Sequence, residues 1–76
     1  MANVLIIDDD WMICDGLSRV VELAGHHAAR ALSLEDGLAQ ARSGSFDVIY
    51  LDVNMPDGSG LEALPELRRS ASSPEI

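Results

Sequence analysis

Seventy-six residues can hold one domain and not two. A formal net charge of −8, from five basic and thirteen acidic residues, argues against a surface that grips nucleic acid and against attraction to anionic membranes. A single cysteine, Cys14, excludes an internal disulfide and suits a reducing cytoplasm, and no Cys/His spacing offers structural zinc to a core this small.

The chain opens on Val4-Leu5-Ile6-Ile7, an apolar run without polar alternation. That predicts a strand buried on both faces, as in a parallel sheet. It leads straight into Asp8-Asp9-Asp10. No basic n-region, leader-length apolar core or bilayer-length run is present, so a soluble, cytoplasmic protein is expected. A helix is predicted from Trp11 to Ala24, capped by Asp10, with Asp9 and Asp10 at its positive end. Ile13, Leu17, Val20, Val21 and Ala24 recur at helical spacing and should face inward. Gly25 stands where a left-handed stop belongs. A weaker strand, His26 to Ala31, is expected at the sheet edge.

Ser33-Leu34-Glu35-Asp36 resembles a capping box, with Asp in the place of Glu or Gln. It opens a helix to about Arg42, with Leu34, Leu38 and Ala41 inward and Gly44 beyond its end. Val48-Ile49-Tyr50-Leu51 is a third strand that stops at Asp52. Turn residues follow: Asn54, Pro56, Asp57, Gly58 and Gly60. Ser59-Gly60-Leu61-Glu62 is a full capping box for a third helix, with Leu61, Leu64 and Leu67 inward and a kink expected at Pro65. Residues 71–74 read as a loop, and Glu75-Ile76 as the approach to a fourth strand.

Alternating strands and helices imply parallel strands joined by right-handed crossovers. In an open α/β sheet, ligands bind beyond the carboxyl ends of the strands. Here two buried strands end in Asp8-Asp9-Asp10 and in Asp52. Clustered carboxylates repel unless a cation sits among them, and magnesium is a hard ion that prefers oxygen ligands.

Ile6-Ile7-Asp8-Asp9, followed one βαβαβ unit later by Asp52-Val53-Asn54-Met55-Pro56-Asp57-Gly58-Ser59-Gly60, resembles the receiver domain of bacterial two-component response regulators. The resemblance implies a flavodoxin-like (CheY-like) three-layer α/β/α fold with a parallel sheet. It implies that residues 1–76 are the N-terminal portion of a receiver, without its fourth strand through fifth helix. The Ser or Thr and the Lys that hold the phosphoryl oxygens would lie in that remainder. By the same resemblance Asp52 is the phosphoacceptor. Asp9 and Asp52 would each give Mg2+ a carboxylate oxygen, Asn54 its backbone carbonyl, and Asp8 would hold a metal-bound water. The implied partners are a sensor histidine kinase and an attached or separate output, DNA-binding or an ATPase-type transcription activator. Such a domain is a phosphoacceptor and not a turnover enzyme.

A different class is a haloacid-dehalogenase-like phosphatase, with Asp8 as nucleophile and Asp10 as acid/base. Its motif continues with Thr or Val where this chain has Met12, and it leaves Asp52 to Gly60 without a role. The same loop misses a calcium-binding pattern, because Pro56 and Ala63 stand at ligand positions. Asp57 reads as a turn residue, Cys14 as an inert helix residue, and Met12, Met55 and Tyr50 as packing. His26 and His27 read as edge-strand surface, because adjacent strand residues face opposite ways. Trp11 is expected at the rim of the acidic pocket. With no fourth strand beside Val48–Leu51, the 76-residue chain is expected to self-associate.

Overall fold

The computed structural model describes residues 1–70 and 74–76. The loop expected over 71–74 falls largely outside them. Three strands form a parallel sheet: β1 (Asn3–Ile7), β2 (His27–Ala31) and β3 (Val48–Leu51), in the order β2-β1-β3. β1 is central, which is why it is apolar from Val4 onward; Leu5, Ile6 and Ile7 are fully buried. Burying each such side chain contributes about 1.5–3 kcal/mol.

Helix α1 (Trp11–Leu23) covers one face of β1 and β2, while α2 (Leu34–Ser43) and α3 (Gly60–Arg68) cover the other. On that second face Leu5, Ile7 and Ile49 meet Leu34, Ala41, Ala63 and Leu67 in one core. The result is a three-layer α/β/α arrangement with the flavodoxin-like start 2-1-3. The two ends of α1 follow the sequence. Asp10 Oδ1 accepts from Met12 N at 2.9 Å, and Gly25 adopts φ +91° just after the Ala24 cap.

Several expected faces turn out differently. On α1 the buried residues are Cys14 and Ser18, flanked by half-buried Leu17 and Val21, whereas Ile13 (42% exposed) and Val20 (64%) point away from the sheet. The small Cys14–Ser18 row lets the helix approach closely, and the Cys14 thiol donates to the Asp8 carbonyl at 3.3 Å. The bulkier Ile13–Val20 row therefore sits at the margin of the contact. On α3 the inward row is Gly60, Ala63 and Leu67, with Leu64 half-buried and Leu61 63% exposed. That helix runs unbroken through Pro65, which has no N–H to offer the carbonyl of exposed Leu61. Met12 and Tyr50 are exposed and not packing residues; Met55 is buried in the core.

The turn after β3 contains structure that no periodicity announced. Asn54–Met55 (β4) and Gly58–Ser59 (β5) pair antiparallel around Pro56-Asp57. Gly58 at φ +152° makes the bend possible. The expected fourth-strand approach is present as a parallel bridge between Val48 and Glu75, with Ile49 N donating to Glu75 O at 2.7 Å.

Candidate metal centre

The sheet register builds the site. Ile7 lies opposite Ala31 on one side and Leu51 on the other, so the next residue of β1 and the next of β3 emerge side by side. Asp8 N donates to Ala31 O and Asp52 N donates to Ile7 O, both at 3.0 Å. The ladder thus extends one step past each strand, and the last rung on each side carries a carboxylate. Asp9 adds a third. One carboxylate oxygen from each of Asp8, Asp9 and Asp52 lies within 4.8 Å of the others.

Burial is graded across the three: Asp8 is 3% exposed, Asp52 half-buried, Asp9 exposed. Asp8 Oδ1 accepts from Asp10 N at 3.0 Å, and Asp52 Oδ1 accepts from Asn54 N at 3.3 Å. The ion pairs found among the described residues join Arg19 and Arg30 to Asp15 and Arg42 to Glu66, away from this cluster. Three converging carboxylates, one of them nearly dry and none ion-paired among the described residues, form a donor set that suits a hard divalent cation. Asn54 adjoins the cluster through its amide. Asp10 does not join it; its Oδ1 caps α1.

Trp11 sits on the first turn of α1 but lines a separate cleft with Cys14, Arg30, Leu32, Ser33 and Asp36. The Cys14 thiol beneath it is held above its ordinary pKa by burial and then by the nearby Asp8 charge. Its inert reading fits that setting. His27 is exposed, whereas His26 is half-buried and accepts a hydrogen bond from Ala2 N at Nδ1, 2.8 Å.

Two residues near the site carry more than their sequence context announced. Asp57, read as a turn residue, accepts from Leu34 N through Oδ1 and from Glu35 N through Oδ2, both at 3.0 Å. Ser33 Oγ takes Asp36 N at 3.1 Å, so the first three free amides of α2 are all satisfied. Those backbone hydrogen bonds, Leu34 first and then Glu35, hold the Asp57 carboxyl below its ordinary value. The expected reciprocal half of the capping box is not what Asp36 does; it accepts from Gln40 Nε2 instead. Gly60 is the second such residue. Its N–H donates to Val53 O at 2.7 Å, and a Cβ there would run into the Asp52 carbonyl oxygen.

A family model described as the response regulator receiver domain matches residues 4–76. The chain belongs to that family. This receiver is 37% identical over 76 residues to the KDP operon transcriptional regulatory protein KdpE of Escherichia coli, covering all of this chain and 34% of that protein. Among solved structures it superposes on the Thermotoga maritima response regulator TrrA in complex with Mg2+ and BeF, at TM-score 0.85 and 33% identity, covering 91% of this chain and 60% of the other. It also superposes, at TM-score 0.89 and 32% identity, on a chain of the complex between histidine kinase ThkA and TrrA, covering 100% and 66%. The receiver spans between 28% and 63% of the length of the first curated relatives it matches. No helix among the described residues is long and apolar enough to cross a membrane.

Proposed function

We propose that this receiver accepts a phosphoryl group on Asp52 from a sensor histidine kinase, with Mg2+ held by the acidic cluster, and thereby controls a transcriptional output. The observation that carries the reading is the convergence of Asp8, Asp9 and Asp52 within 4.8 Å at two adjacent strand tips. Asp9 and Asp52 would hold the ion directly, Asn54 through its backbone carbonyl, and Asp8 through a bound water. When bound, the ion supplies positive charge to the oxygens of the group in transfer. A carboxylate oxygen of Asp52 attacks phosphorus, the bond from phosphorus to the donor's imidazole nitrogen breaks, and that nitrogen keeps the electron pair. The chain's contribution is position. The rung from Asp52 N to Ile7 O fixes the nucleophile at the tip, and Asn54 N binds its Oδ1.

In this reading residues 1–76 are the N-terminal portion of a receiver in the cytoplasm, acting as phosphoacceptor and not as turnover enzyme. KdpE is named as a transcriptional regulator and TrrA is found with a histidine kinase, which supports both partner classes. Incubating the complete domain with acetyl phosphate and Mg2+ tests it. A hydroxylamine-labile phosphate is expected in the wild type and lost in Asp52→Asn. Equal labelling of that variant refutes the assignment.

A further inference from the structure

The hairpin that follows the phosphoacceptor is held from outside the site. Asn54 begins β4, Ser59 ends β5, and Asp57 sits in the two-residue turn between them. At its base the hairpin is fixed by Asn54 N on Asp52 Oδ1 and by Gly60 N on Val53 O. At its tip the fixing group is Asp57, both of whose oxygens are committed to the first two amides of α2. Those bonds cross 23 and 22 residues of sequence. The segment they reach follows β2, whose last carbonyl, Ala31 O, receives the Asp8 amide. Asp57 therefore joins the loop bearing Asp52 and Asn54 to the segment that positions Asp8. It stands outside the carboxylate cluster, and its oxygens are already occupied by N–H donors.

We infer that Asp57 is a positioning residue for the divalent-ion site: by clamping the β4–β5 turn to the N-terminus of α2, it holds Asn54 and Asp52 in register with Asp8. This rests on the metal reading proposed above. A carboxylate suits the task because its two oxygens accept two parallel N–H bonds at once and its charge is favoured at a helix N-terminus. An amide offers one acceptor oxygen and turns a donor toward the second N–H. Removal of residues that orient a metal ligand typically weakens metal binding by 10–100-fold.

The test is calorimetric titration of Mg2+ into the full chain and its Asp9→Asn, Asp57→Asn and Asp57→Ala variants at neutral pH, with thermal unfolding of each recorded without Mg2+. Asp9→Asn should lose binding. Asp57→Ala should bind roughly tenfold more weakly than wild type, with Asp57→Asn between them. A merely structural Asp57 would lower the unfolding temperature and leave the Mg2+ affinity of the folded protein unchanged, and that result overturns the inference. Should Asp57→Ala not fold, the near-isosteric Asp57→Asn carries the comparison. Loss of binding in Asp9→Asn with wild-type affinity in both Asp57 variants sinks the positioning role alone. Absence of Mg2+ binding in wild type, or unaltered binding in Asp9→Asn, sinks the metal site and the inference with it.

Discussion

The carbonyl oxygen of Asp52 fills the space in which a side chain at Gly60 would begin, and Val53 Cα lies 3.0 Å from the same point. The first residue of α3 is thus pressed against the backbone just beyond the tip of β3. Gly60→Ala must move either the helix or the strand tip. Overpacking of this kind costs about 1–3 kcal/mol, while alanine's helix preference returns at most ~1 kcal/mol. Urea denaturation should show a lower midpoint with an unchanged slope. A midpoint equal to or above wild type would show that no such close approach exists.

Two other helical glycines should respond with opposite signs. Gly16 lies inside α1 with nothing within 4 Å of the point where a side chain would begin. Gly16→Ala should therefore stabilise by roughly 0.5–1 kcal/mol. Gly37 lies in α2, and a Cβ there would sit 2.6 Å from Ile7 Cδ1. Ile7 is fully buried, so its tip has little room to yield. Gly37→Ala should destabilise by about 1 kcal/mol or more. Unfolding midpoints moving in the same direction for both would show that local propensity, and not packing, decides at these positions.

The pattern of agreement with the sequence has a physical basis. β1 was legible because burial on both faces demands an unbroken apolar run, β3 because its four residues are strand formers, and Asp8, Asp9 and Asp52 because those two runs stop at charges. The inward face of α1 was not. Its apolar stripe is wider than the contact, and a row of small residues, Cys14 and Ser18, wins the sheet because it allows close approach. The β4–β5 hairpin has two residues per strand, too few for any period. The Asp57 clamp joins segments more than twenty residues apart, so no local pattern could announce it.

Acid should weaken the Asp57 clamp. Its carboxyl is held below the ordinary value in the folded protein, by the Leu34 and then the Glu35 amide. Its contribution is therefore fully present above the unfolded-state value near ~4 and is lost as pH falls through the lower folded value. Asp57→Asn has no such titration. Measured by urea midpoint, the wild type should exceed Asp57→Asn at pH 6, and the gap should narrow toward pH 3. A gap that is constant across this range would remove the charge from the explanation.

Cys14 should be silent toward thiol reagents in the native state. It is buried, donates to the Asp8 carbonyl, and is disfavoured as a thiolate by burial and by Asp8. An aromatic disulfide reagent at pH 8 should label it only at the rate of opening, and at once in denaturant. Fast native labelling would mean that α1 lifts from the sheet far more readily than its packing implies.

The 76-residue chain by itself should associate. α1 lies over β1 and β2, which leaves Val48 and Tyr50 exposed on that face of β3, and Ile13 and Val20 on α1 are exposed as well. Among the described residues β3 has no strand on its outer side, only the bridge to Glu75. An apolar groove of about 410 Å³ runs alongside, lined by Val53, Leu61, Leu64 and Ile76 among others. A bare strand edge next to apolar surface favours pairing with another chain, and a net charge of −8 opposes it through a repulsion that salt screens. Light scattering should therefore give a mass above that of one chain, rising with salt, together with binding of a hydrophobic dye. Val20→Glu and Tyr50→Glu alter exposed positions only, so they should reduce both signals while leaving the far-ultraviolet circular dichroism unchanged. A sharp monomer at every salt concentration, with a cooperative thermal transition and no dye bound, would contradict this expectation.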